Sequence, residues 1–190
     1  MPRRKIFLNY FGPAIAVISI TAFGLWLGVT VSESELAQEL VSGYGYVGIF
    51  ILSVVSGFNV VFPVPTISFL PVFQAAGMNV PFAVALTIAG MTVGDMGGYM
   101  IGKTGKVILS SSNKKTLFYL DELKGRYKVG PLVALFLFVA FAPLPNEILV
   151  IPLGFLGYHL KHIFPIVLAG NAIFNTLAAL GILGIFEGLK

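Results

Sequence analysis

Hydrophobic and polar positions fall in long blocks along this chain rather than alternating residue by residue. Residues 10–31, 45–77, 80–102, 129–158 and 163–186 are apolar and almost free of charge, and the stretches between them are short and polar. A helix of about 20 apolar residues crosses the hydrocarbon core of a bilayer, so blocks of this length predict membrane-embedded helices. Between the first two blocks, Ser32 precedes Glu33 and Glu35, and Leu36, Leu40 and Val41 share a face. That pattern predicts a short interfacial helix over 32–42.

Two of the blocks cannot be single helices. Residues 45–77 contain Pro63, Pro65 and Pro71, and residues 129–158 contain Pro143, Pro145 and Pro152. Proline removes a backbone donor and clashes with the preceding turn, so each block predicts a helical hairpin that enters the membrane and returns. The punctuation also repeats. Pro63 and Pro65 recur as Pro143 and Pro145, Gly77 as Gly157, and Ala89-Gly90 as Ala169-Gly170, each at an offset of 80 (143 − 63). The pattern predicts an all-α polytopic membrane protein built from a repeated unit, a re-entrant hairpin followed by a transmembrane helix. Residues 1–42 would hold an N-terminal anchor helix and the interfacial helix. Residues 43–190 would hold hairpin 45–77, span 80–102, a basic loop 103–128, hairpin 129–158 and span 163–186. Glycines at 90, 94, 97, 98 and 102 would let neighbouring helices approach the first span closely.

Composition agrees: 57% of the 190 residues are hydrophobic and 11% charged, against roughly 25% charged in soluble domains. The net charge of +4 is placed beside apolar blocks. Arg3, Arg4 and Lys5 precede the first block, and Lys103, Lys106, Lys114, Lys115, Lys124, Arg126 and Lys128 occupy the long loop. Such clusters mark the cytoplasmic side, which excludes nucleic acid as the reason for the charge and predicts a cytoplasmic N-terminus in a cell (plasma or inner) membrane. The first block is too long for the apolar core of a signal peptide, so it reads as an uncleaved anchor. With that start, the two hairpins enter from opposite faces and form an inverted repeat, an architecture of transporters. The loop stays inside equally well if both broken segments cross fully.

Charge inside the blocks is confined to Asp95 and Glu147. A carboxylate at the bilayer centre costs about 2.5 to 3.5 kcal/mol on insertion scales, which makes each a candidate for proton or substrate handling. Glu147 can also serve a helix start after the Pro145 break, and Asp95 can pair with Tyr99 one turn away or with a polar group across the bundle. Asn59, Gln74, Asn146, Asn171 and Asn175 are polar in apolar surroundings. Asn171 and Asn175, four apart, share a helix face, and the set can either hydrogen-bond neighbouring helices or line a polar cavity with Glu147. The absence of cysteine excludes disulfides and thiolate metal sites, and His159 and His162 beside Lys161 lack the clustered carboxylate of a metal site. No cofactor is expected. Gly97 to Thr104 fits the spacing of a phosphate-binding loop, yet it ends an apolar span instead of following a strand. Lys103 reads instead as a residue that snorkels to the interface.

The order Phe62-Pro63-Val64-Pro65, Ala76-Gly77, Gly94-Asp95, Tyr99, Gly102 and Gly105, then Tyr127-Lys128-Val129-Gly130, Phe141-Ala142-Pro143, Gly157 and Phe164 to Gly170 resembles the DedA/VTT (SNARE-associated) membrane family over residues 43–185. The resemblance implies two facing re-entrant hairpins in a lipid scramblase or flippase, with proton coupling in some members. The chain departs from many bacterial members, with Thr66, Ile67 and Ser68 where they carry an acid and with Ala140, Asn146 and Glu147 where they carry arginines. The function expected is movement of a lipid headgroup along a polar path lined by Glu147, Asp95, Asn146, Asn171 and Asn59. Pro63, Pro65, Pro143 and Pro145 would set the breaks, and Gly77, Gly94, Gly102 and Gly157 are the glycines the family shares. A proton- or ion-coupled exporter of small solutes and a non-transporting scaffold stand beside that reading; without a nucleophile-base or metal constellation, an enzyme does not. The expected partners are membrane lipids, protons under the coupled reading, and a second copy of the chain.

Overall fold

The computed structural model describes residues 35–58, 66–112 and 124–188, with positions 118 and 122. The anchor expected over 10–31, Asn59, Pro63 and Pro65 lie outside the described residues. Within them every element is a helix. The order is α1 (Glu35–Gly57), a 3₁₀ turn (Thr66–Phe69) running into α2 (Leu70–Ala75), α3 (Val80–Ser112), α4 (Gly130–Phe141), α5 (Glu147–Leu156) and α6 (Leu160–Gly188). Helix α1 is interrupted at Gly45, whose φ of 55° and ψ of −146° no helix contains. Residues 35–44 are thereby set apart from the apolar half of α1.

Helix α3 outruns the span expected to end at 102. Residues 103–112 carry no proline, so the two lysines at 103 and 106 ride on the same helix instead of in a loop. The stretch resembling a phosphate-binding loop is therefore continuous α-helix. Val80–Ile108 and Leu160–Gly184, 29 and 25 residues, are long and apolar enough to cross a membrane. By contrast α4 and α5 have 12 and 10 residues, about 18 and 15 Å at 1.5 Å per residue. Each falls short of a hydrocarbon core of about 30 Å.

The break between α4 and α5 follows from its prolines. Helix α4 carries Pro131 in its first turn and ends at Ala142, which is extended (φ −93°, ψ 121°), as the residue before a proline must be. Helix α5 restarts at Glu147 and stops at Gly157, whose left-handed φ of 80° suits glycine.

The offset of 80 reappears in the backbone. Gly77 has a φ of 72° to match Gly157. Gly77 N donates to Gln74 O and Met78 N to Phe73 O, and Gly157 N to Gly154 O and Tyr158 N to Leu153 O. Helices α3 and α6 then begin at Val80 and Leu160. The side chains follow: Leu70, Phe73 and Ala83 are buried in one apolar cluster, and Val150, Leu153 and Ile163 in a second.

Those clusters fix the direction of the two long helices. Helix α3 puts Ala83 in the first cluster and Tyr99 in the second, whereas α6 puts Ile163 and Val167 in the second and Ala179 and Ile182 in the first. The two helices therefore run in opposite directions between the same two clusters. On the outside, Val47, Ile51, Val55, Val93, Ile101, Val133, Leu137, Leu177 and Leu180 are exposed. An apolar exterior of this extent is unfavourable in water and matches lipid.

Candidate functional site

Glycines let three helices meet. On one side of α3 a Cβ at Gly90 would lie 2.7 Å from Phe50 O, and one at Gly94 would overlap the Val54 carbonyl of α1. On another side a Cβ at Gly102 would overlap the Ile151 carbonyl of α5, and at Gly98 it would lie 3.2 Å from Glu147 Cγ. Backbone-to-backbone contact of this kind is how helices pack in lipid, where there is no hydrophobic drive between them. Helix α3 is consequently wedged between α1 and α5, with α6 packed on α3 and α4.

Asp95 sits on α3 between the glycine rows and is 1% exposed. Its Oδ2 accepts from Asn171 Nδ2 of α6 at 2.8 Å and from Asn146 Nδ2 at 3.1 Å. Asn146 Nδ2 also donates to Asn171 Oδ1 at 3.1 Å, which closes a ring of three side chains from three parts of the fold. Asn171 Nδ2 donates further to Thr92 Oγ1 at 3.1 Å, and the Thr92 hydroxyl donates to Ile88 O at 2.8 Å. Asn175 extends the chain by donating from Nδ2 to Asn171 O at 2.8 Å.

The position of Asn146 explains why it can do this. It is the residue before α5, where a side chain ordinarily caps the first turn, and it makes no such cap bond. Its amide turns inward instead, because Asp95 and Asn171 offer acceptors in a site closed to water. Glu147 follows as the first residue of α5, 4% exposed, and lies within electrostatic range of Asp95. As an acid in a first turn it also complements the free N–H groups there.

Four of the five path residues expected from sequence, Asp95, Glu147, Asn146 and Asn171, are thus buried together, and Asn59 lies outside the described residues. The pairing of Asp95 with Tyr99 is not formed. The Tyr99 hydroxyl reaches the other way and donates to Tyr158 O at 2.9 Å, at the turn before α6. Gln74 is exposed and takes no part. Thr92 was not singled out in the sequence, although its place three residues before Asp95 on one helix puts the two on the same face. Pro143 and Pro145 flank the break, and glycines serve packing at 94 and 102 and chain reversal at 77 and 157.

At the α5–α6 turn the basic residues gather. Lys124 Nζ donates to Gly157 O at 2.6 Å and Lys106 Nζ to Leu156 O at 3.4 Å, so both cap the carbonyl end of α5. The rings of His159 and His162 meet edge-on, at 78° to each other with centroids 6.1 Å apart. Lys124 above all, then desolvation and the charges of Lys161, His162 and Lys103, hold His159 below its ordinary value of 6.5.

The chain has no match among protein-family models, characterised proteins or solved structures.

Proposed function

We propose that this chain is a multi-pass membrane transporter of the DedA/VTT type that moves a lipid headgroup through a polar path between two re-entrant hairpins related as an inverted repeat. The observation that carries the proposal is the Asp95–Asn146–Asn171 ring. It brings a carboxylate of α3, an amide of α6 and the amide of the residue before α5 together at a proline break, within a protein whose exterior is apolar. Buried polar groups of this kind are costly in lipid and mark solute or ion pathways. Support for the inversion comes from the opposite run of α3 and α6 between the two apolar clusters, and support for re-entrance from helices α4 and α5, each too short to cross alone. A headgroup would exchange its water for Asn146, Asn171 and Glu147 while its acyl chains stay against the outer apolar face. The N-terminus would be cytoplasmic, in the cell membrane.

A second reading, a proton- or ion-coupled exporter of small solutes, is favoured by one specific observation. The two titratable groups in the polar centre are both acids, Asp95 and Glu147, and the hydrogen-bond donors set against Asp95 are neutral amides. A site with that balance suits a proton or small cation. Purified protein in liposomes containing a fluorescent lipid, assayed with and without a pH gradient, separates the readings. Lipid crossing that is indifferent to the gradient supports scrambling, and solute uptake that requires it supports coupling. Neither activity in folded protein would leave a scaffold and refute transport.

A further inference from the structure

We infer that Thr66 and Asn175 form the first repeat's counterpart of the Asn146–Asp95 pair, and that the two pairs close alternately. The offset of 80 relates Thr66 to Asn146 and Asp95 to Asn175 (66 + 80, 95 + 80). In the second half the pair is made, with Asn146 donating to Asp95 at 3.1 Å. In the first half it is not. Thr66 and Asn175 are both 0% exposed, and among the described residues Thr66 Oγ1 and Asn175 Oδ1 have no hydrogen-bond partner. A hydroxyl and an amide oxygen are complementary as donor and acceptor, and leaving both buried and unmade is unfavourable by about the desolvation cost of each group.

Packing carries the same asymmetry. Helix α5 lies along much of α3, while its repeat equivalent, Thr66–Ala75, touches α6 only slightly. Ile67 nevertheless shares an apolar cluster with Ala179 of α6, one turn beyond Asn175, so the approach needed is short. Two chemically similar halves in different states are what a repeat protein shows when its halves exchange arrangements. In the alternate state Thr66 donates to Asn175 Oδ1 and Thr66–Ala75 packs along α6, while Asn146 leaves Asp95 and α5 loosens from α3. This rests on the transport reading for its purpose: the two closures would open the polar centre to opposite faces in turn.

The chain has no cysteine, so introduced pairs report without background. The test is mercuric-ion bridging of Thr66→Cys with Asn175→Cys in full-length protein in nanodiscs, alone and combined with Asn146→Ala. Asn146→Ala removes both of its donor bonds, to Asp95 and to Asn171, from the second-half state. The resulting shift of a two-state equilibrium is about thirtyfold (about 2 kcal/mol), so the ratio of bridged to unbridged protein rises by that order. No bridging in either background, or a fraction that Asn146→Ala leaves unchanged, overturns the inference. None of these results requires transport, so they stand apart from a failure of the transport reading. Thr66→Val supplies a second arm if the cysteine pair folds poorly. Removing an unpaired buried hydroxyl raises the melting temperature while slowing crossing in liposomes; a lowered melting temperature, or unchanged crossing in an active protein, counts against alternation.

Discussion

Asn146 and Asp95, 51 positions apart in sequence, are joined by a buried 3.1 Å hydrogen bond from the residue that precedes α5 to the middle of α3. The bond ties the proline break before α5 to the long helix α3. Asn146→Ala removes two donor contacts, one of them to a carboxylate, at a cost of about 2 kcal/mol. The expected outcome is a lower melting temperature in detergent, with a smaller loss for Gln74→Ala, whose side chain is exposed.

The glycine rows on α3 make a graded prediction. A methyl at Gly102 meets the Ile151 backbone, whereas one at Gly105 meets the Phe155 ring at 3.3 Å. A ring can turn aside and a backbone cannot. Gly102→Ala should destabilise by about 1 to 3 kcal/mol and Gly105→Ala by clearly less, read by thermal unfolding in detergent.

Gly77 and Gly157 separate strain from crowding. Both have left-handed φ, but a Cβ at Gly77 enters open space while one at Gly157 lies 2.7 Å from Lys106 Nζ. Gly77→Ala should cost about 1 to 2 kcal/mol from backbone strain alone. Gly157→Ala should cost more, because it also displaces Lys106. Equal effects on thermal unfolding would show that the lysine yields freely.

Much of this was legible in the sequence because lipid imposes simple rules. Apolar blocks gave the two long helices, and paired prolines located the break at 142–146, since each effect acts through covalent geometry close at hand. The candidate acids were visible for the same reason: Asp95 and Glu147 are the exceptions in uncharged blocks. Their partners were less visible. The choice of Asn146 and Asn171 over Tyr99 depends on how α3, α5 and α6 cross, which no local pattern encodes. The end of α3 was missed because lysines at 103 and 106 signal the membrane surface, not the end of a helix, and a helix can continue beyond that surface.

The basic turn before α6 predicts a pH response. Lys124 and its neighbours favour neutral His159 in the folded protein. Below its ordinary value of 6.5 an unfolded chain binds the proton more readily than the folded one, so stability falls as pH drops through that region. Titration of His159 by NMR should give a midpoint below 6.5, and Lys124→Gln should raise it. An unchanged midpoint would remove Lys124 as the main cause.

Glu147 tests the central claim most directly, because it is buried beside the break and can lose its charge with little change in shape. The measurement is the rate at which a fluorescent lipid crosses liposome bilayers containing the protein or its Glu147→Gln variant, each first shown to be folded. The proposed path predicts rapid crossing with the native chain and markedly slower crossing with the variant. Equal, rapid crossing in both would contradict a path through Glu147.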